Sequence, residues 1–352
     1  MSSDPRVPSS DRLLALVDGM AGRPVAMVVD LVADRFITGT PKRISREAPV
    51  LILSYEGERL APGGGANAVA NVAALGGRPL PLGVVGDDAS GRELVAALAA
   101  LGVETSGILV RPGYRTPTKV RILGGGRHAI KQQIVRYDVE ERLTLAAEER
   151  EIFAARLADW AGAAGGAPPV AVLSDYGYGA VEPALLPCLR RALGGDAVLL
   201  ADSRYRLGEF AGLDGATPNE EEAEALLGGR LPEDFPEAAR AGESLRTRLG
   251  ARFLLVTRGS RGMSLLEEGS AAHLPVHGTD QVADVTGAGD TVIGAFALAL
   301  AAGGTPLEAA LLANYAGGVV VMKMGTATLG PDELRRAVAG DPRPLAEVQW
   351  AR

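Results

Sequence analysis

Short apolar runs alternate with Gly-rich breaks and Ala/Leu-rich amphipathic stretches along most of this chain. Residues 25–29 read as a buried strand, 66–75 as a helix halted by Gly76-Gly77, 80–85 as a strand and 91–101 as a helix. The rhythm returns with strands at 170–173, 197–201 and 252–257 and helices at 182–193, 220–227, 237–249 and 291–302. Few folds accept such a pattern. Neighbouring parallel strands need crossover connections, and helical crossovers cover the faces of the sheet. The expectation is an α/β fold with a mostly parallel central sheet and helices on both faces.

Two stretches depart from the rhythm, about 36–60 and 116–138. Both carry β-type alternation, as in Val50-Leu51-Ile52-Leu53 and Lys119-Val120-Arg121-Ile122, and no helix follows at once. They read as antiparallel strands outside the main sheet, forming a small lid over the carboxyl ends of its strands, where open α/β sheets bind ligands. The rest reads as one domain over 13–340, with a flexible N-terminal tail at 1–12 and a C-terminal tail at 341–352.

Composition narrows the function. The longest apolar stretches, about ten residues, are too short to span a bilayer, and residues 1–12 lack a signal-peptide core. One cysteine, Cys188, excludes an internal disulfide and suits a reducing cytoplasm. A net charge of -7 speaks against nucleic-acid binding, and His128, His273 and His277 have no zinc-ligand spacing.

Chemistry concentrates in Asp284-Val285-Thr286-Gly287-Ala288-Gly289-Asp290-Thr291, which opens an apolar helical run. Backbone N–H groups at a helix start point outward without partners, and the helix dipole makes the place attractive to phosphate. A carboxylate beside such a cradle is suited to accept the proton of an attacking hydroxyl. A second cluster, Pro62-Gly63-Gly64-Gly65-Ala66-Asn67, opens another helix with glycines that permit close approach and an amide suited to a polyhydroxylated ligand.

Together the two clusters resemble the ribokinase-like carbohydrate kinases, from about residue 25 to 334. The resemblance implies a three-layer α/β/α sandwich with a β-lid on the sugar and ATP-dependent phosphorylation of a sugar hydroxyl. It implies Asp290 as base and Gly287, Ala288 and Gly289 as the anion hole. In Thr217-Pro218-Asn219-Glu220-Glu221-Glu222, Asn219 and Glu222 form a capping arrangement and, by the resemblance, lie near the ATP phosphates. There Glu222 reaches Mg²⁺ through water. The resemblance places Thr257, Arg258, Gly259 and Gly262 along the nucleotide and Asn314 beside the adenine.

Arg43-Ile44-Ser45-Arg46-Glu47-Ala48-Pro49-Val50, Asp34-Arg35-Phe36 and Leu173-Ser174-Asp175-Tyr176-Gly177 resemble the heptose 7-phosphate kinases, the kinase half of the bifunctional proteins that make ADP-heptose. This implies an acceptor that already bears a phosphate and is phosphorylated at O1. Asp34, Gly64, Gly65, Asn67 and Asp175 would hold the sugar. Arg43, Lys119, Arg121, Lys131 and Arg136 are the cationic candidates for its phosphate. The resemblance also implies a homodimer through the lid strands and leaves room for a monovalent cation near the signature. Several positions depart from the branch: Val29 before Asp30, Val285 in the signature, Tyr178 for a usual Lys, Asp202-Ser203-Arg204 for Asp-Pro-Lys, and extra length at Gly124-Gly125-Gly126-Arg127-His128. Most lie on the sugar side. They keep open a kinase of another sugar or cyclitol phosphate in specialised metabolism, or a non-catalytic nucleotide or sugar sensor.

Overall fold

The computed structural model describes residues 4–126, 131–163, 169–278 and 283–351. Its strands are β1 (Pro24–Val29), β2 (Leu31–Ile44), β3 (Leu51–Gly64), β4 (Arg78–Gly86), β5 (Ile108–Arg111), β6 (Thr118–Gly124), β7 (Gln132–Val139), β8 (Val170–Asp175), β9 (Val198–Ser203), β10 (Gly215–Ala216), β11 (Phe253–Thr257), β12 (Met263–Glu267), β13 (Ser270–Leu274) and β14 (Gln349–Ala351). Ten of them form one sheet in the order β14-β13-β12-β11-β10-β9-β8-β1-β4-β5. Pairing is parallel from β5 to β11 and antiparallel from β11 to β14.

Strand alternation divides the core into two layers. Val25, Met27 and Val29 of β1 face one apolar cluster, with Val170 and Val172 of β8. Ala26 and Val28 face the other, with Ala171 and Leu173. Helices Gly65–Ala74, Ala288–Ala301 and Pro306–Val320 fill the first layer; Leu186–Leu193 and Phe235–Leu249 contribute to the second. Helix Ala288–Ala301 is apolar around its circumference because it is covered on every side, its burial running from Asp290 almost unbroken to Ala301. The α/β/α expectation is met.

Strand order turns at β1, which lies between β4 and β8. The crevice beyond the carboxyl ends of strands at such a turn is where open α/β sheets bind ligands.

A separate sheet in the order β3-β2-β6-β7 forms the lid. Its strands span both stretches that broke the rhythm, but pairing is not wholly antiparallel: β2 and β6 run parallel, with Asp34 opposite Lys119. They are joined through β3, β4 and β5 rather than by a hairpin, so the chain returns in the same direction. Arg127 and His128 of the lengthened hairpin lie outside the described residues.

The expected tails are partly structured. Helix Ser10–Gly19 starts inside the first, and Arg12 pairs with Glu308 at 2.7 Å. In the second, β14 adds the tenth strand by pairing with β13, and Trp350 stacks under Arg6 at 3.7 Å. The open edge of β13 explains the correction: its unpaired backbone groups gain partners from a segment too short to show periodicity.

Candidate active site

Asp30 follows β1 and is buried. Its carboxylate accepts the backbone N–H groups of Tyr176, Tyr178 and Ala180, each at 2.9 Å. Burial still pushes its pKa up to about 6, against those three donors and with help from the charge of Asp175. Asp30 thereby ties the loop after β8 over the end of β1. Its carbonyl also receives the Gly65 N–H, and a Cβ on Gly65 would lie 2.6 Å from the Val29 Cβ. Glycine there lets the helix start sit directly on β1, which delivers Asn67.

Asn67 and Tyr176 converge on Asp290. The Asn67 Nδ2 donates to Asp290 Oδ2 at 2.9 Å, and the Tyr176 hydroxyl donates to Asp290 Oδ1 at 2.7 Å. Asp290 is 2% exposed and sits in the first turn of helix Ala288–Ala301. Burial raises its pKa to about 6, opposed by those two hydrogen bonds. Gly287 caps the helix at φ 78, and a Cβ there would press on Asn67 Nδ2. Gly289 is different: a Cβ would meet nothing within 4 Å and would stand in open space.

Two clefts meet at this turn. One, about 590 Å³, is lined by Thr257, Gly259, Gly262, Ala288 and Asn314 among others. The second, about 580 Å³, is lined by Tyr176, Asp202, Arg204, Asn219, Glu222 and Asp290 among others. Thr257, Val285 and Gly289 line both, so the clefts join over the helix start. Asn219 and Glu222 form a reciprocal capping box with both bonds at 2.9 Å. Burial raises the Glu222 pKa. Asp202 is raised well above the usual carboxylate range, first by burial and then by Glu222 and Asp290.

On the lid side, Asp34 is buried and pairs with Arg121 at 2.6 Å. Lys119 lies 5.4 Å from the centre of the Tyr176 ring, its pKa lowered by burial. Arg136 pairs with Asp138. Gly64, at φ 50, caps the Asn67 helix.

The joined clefts are thus lined by Asn219, Glu222, Thr257, Gly259, Gly262, Asn314 and the signature, while Asn67 reaches Asp290 from the helix that Gly64 and Gly65 open and Lys119 lies beside Tyr176. Four expectations are corrected. Arg43 stands nine residues beyond Asp34 along β2, roughly 30 Å at strand rise, and is exposed. Lys131 is bound to Glu56 and to carbonyls of Gly39 and Gly125, within the lid. Asp175 borders the second cleft, but its oxygens are taken by Gly177 N, Ser203 Oγ at 2.7 Å and Arg206 at 2.8 Å. Arg258 is buried with its guanidinium on the Pro232 carbonyl, away from the first cleft. In both buried cases the charge is consumed by its own fold. Sequence reasoning gave no role to Asp30, Asp202, or the Tyr176 hydroxyl. The Ser174-Asp175-Tyr176 string was the available signal for the last.

Among the described residues, no group of three or more His, Cys, Asp or Glu could hold a metal ion directly. What the second cleft offers is Glu222 and Asp202 as carboxylates whose raised pKa values a nearby divalent cation would relieve. This donor set fits Mg²⁺ held through water. Among the described residues, no helix is long and apolar enough to cross a membrane.

The pfkB family carbohydrate kinase model matches residues 26–333. A bifunctional protein HldE from Mesorhizobium japonicum is 39% identical over 343 residues, covering 96% of this chain and 66% of that protein. One from Chromohalobacter salexigens is 42% identical over 318 residues, covering 90% and 63%. The chain thus spans just under two thirds of the length of these relatives. Among solved structures, Arabidopsis thaliana ribokinase complexed with ribose and ATP superposes with a TM-score of 0.69 at 21% identity, over 90% of this chain and 99% of that one. Escherichia coli phosphofructokinase-2 in complex with substrates and products gives 0.71 at 18% identity, over 90% and 99%. These two share the fold.

Proposed function

The chain belongs to the pfkB family of carbohydrate kinases, and from that premise we propose that it moves the γ-phosphoryl group of ATP to O1 of a heptose 7-phosphate, giving the 1,7-bisphosphate. The observation that carries this reading is Asp290: a buried carboxylate held by Asn67 and Tyr176 at the one turn where the two clefts join. The nucleotide lies along Thr257, Gly259, Gly262 and Asn314, its phosphates directed toward Asn219 and the helix start. The acceptor lies under the lid against Asp34 and Asn67. Asp290 takes the O1 proton as O1 bonds to the γ-phosphorus, and ADP leaves. The N–H groups at Gly287–Gly289 face the phosphoryl oxygens where charge accumulates. Mg²⁺ supplies charge neutralisation when bound, with Glu222 and Asp202 as its water-linked partners.

The heptose assignment is supported by the Arg43–Val50 string and by relatives named as bifunctional protein HldE. A second acceptor, another sugar or cyclitol phosphate, is favoured by Tyr178. Its hydroxyl donates to Glu140 at 3.1 Å where the heptose branch carries a cation. A coupled ADP-release assay over a panel of sugar phosphates separates the two. D-glycero-D-manno-heptose 7-phosphate is expected to give the highest kcat/KM, and background turnover with it, beside activity on another sugar, refutes the heptose assignment.

We also propose a homodimer closed by the lids. Ile44, Leu51, Tyr55, Ile134, Val135 and Tyr137 all expose apolar surface on lid strands, and β3 and β7 are open edges. Light scattering at twice the chain mass is the expected result.

A further inference from the structure

Resting on the kinase reading above, we propose that Arg204 is a catalytic residue, the side chain that carries positive charge to the phosphoryl group in flight. The second cleft must admit a polyphosphate. Yet its described walls carry the carboxylates of Asp202, Glu221, Glu222 and Asp290, and the chain as a whole is acidic. Against them stands one cationic side chain, Arg204. The glycine signature brings backbone N–H groups but no lysine, so the cradle itself supplies only partial charge.

The position of Arg204 suits the task. It directly follows β9, and its backbone N–H donates to the Asp175 carbonyl at 3.1 Å, which fixes its Cα to the end of β8. Asp175 in turn is locked by Ser203 and Arg206. The base of the side chain is thus rigid, while the side chain itself is exposed. Among the described residues its guanidinium makes no ion pair, and the Tyr205 ring is 5.8 Å away. Arg206, two residues on, is spent on Asp175 and the Val181 carbonyl, so the two arginines have separate duties. The charge of Arg204 is felt at Glu222 on the nucleotide side and at Tyr176 beside Asp290. Arg204 lines the same cleft as Tyr176, Glu222 and Asp290. As the bond from O1 to the γ-phosphorus forms and the bond to the ADP oxygen breaks, charge builds on the equatorial oxygens. A planar guanidinium can bind two of them at once.

The test compares Arg204→Met and Arg204→Lys with the wild-type enzyme, using whichever sugar phosphate the wild type turns over best. Choice of acceptor thus cannot decide the outcome. Arg204→Met is expected to lose about 100-fold or more in kcat, with KM for ATP and for acceptor within about 3-fold and Tm unchanged. Arg204→Lys is expected to restore part of the loss. In titrations of ADP with aluminium fluoride and acceptor, a mimic of the planar phosphoryl group, Arg204→Met is expected to bind about 100-fold more weakly while affinity for ATP alone holds. Unchanged kcat overturns the proposal, since Arg204 is then a solvated wall charge. A rise confined to the acceptor KM also overturns it, assigning Arg204 to the phosphate already on the sugar. An inactive wild type on every sugar would instead defeat the kinase reading itself.

Discussion

Gly289→Ala separates folding from chemistry within the signature. Gly289 is the second residue of helix Ala288–Ala301, and a Cβ built on it meets no atom within 4 Å. For the fold the substitution is harmless or favourable: alanine in a helix is better than glycine by about 0.5–1 kcal/mol, less at the first turn. Spread over 352 residues, 1 kcal/mol moves Tm by only about 1–2 °C. For catalysis the same methyl group would enter the space where Gly289 lines both clefts, on the path proposed for the transferred phosphoryl. Keeping the phosphoryl from one such N–H donor should cost about as much as removing it, about 2.7–4 kcal/mol or 100- to 1,000-fold in kcat. The expected variant is therefore as stable as wild type and nearly inactive in ADP release. Gly287→Ala should differ. At φ 78, with its new Cβ against Asn67, it should lose Tm as well as activity. Wild-type kcat in Gly289→Ala would refute the placement of the phosphoryl over this turn. A Tm loss of several degrees would show that the glycine is structural instead.

The remaining predictions concern the base and its supports. With its pKa raised to about 6, Asp290 keeps kcat high above that pH, and kcat falls about tenfold per pH unit below it as the base is protonated; a profile flat from pH 7 to pH 5 would exclude Asp290 as base. Tyr176→Phe removes a donor that favours the charged carboxylate, so the acid limb should move up by about one pH unit, while KM for ATP holds. Arg206→Met strands the buried Asp175 charge and should cost about 3 kcal/mol, seen as a lower Tm with acceptor KM unchanged; a higher KM at wild-type Tm would return Asp175 to the substrate.

What could be read in the sequence was the chemistry written in local geometry. Gly287, Gly289 and Asp290 lie within one helical turn, so their spacing alone sets a cradle beside a carboxylate. The capping box at Asn219 and Glu222 is equally local and came out as expected. Tyr176 was not legible in the same way. Its hydroxyl reaches Asp290 because Asp30, 146 residues earlier, gathers the N–H groups of the loop that carries it. Asp175 and Arg258 misled for a related reason. A charged residue next to a motif looks the same in sequence whether it faces a ligand or a partner on the next strand. Only the placement of Arg206 and of the Pro232 carbonyl tells the two apart. The parallel pairing of β2 with β6 is non-local too, since it depends on where the intervening strands carry the chain.

The same distinction explains why the reaction is better defined than the acceptor. Around Asp34 the lid brings Lys119, Arg121 and Arg136 together, but Arg121 is committed to Asp34 and Arg136 to Asp138. Tyr178 adds a neutral hydroxyl turned to Glu140. Among the described residues Lys119 makes no ion pair, and burial lowers its pKa against the charge of Asp34. An arriving sugar phosphate would meet that need, because an anion beside a desolvated ammonium restores the charged form. On the kinase reading proposed above, the lid is therefore suited to an acceptor that carries a phosphate.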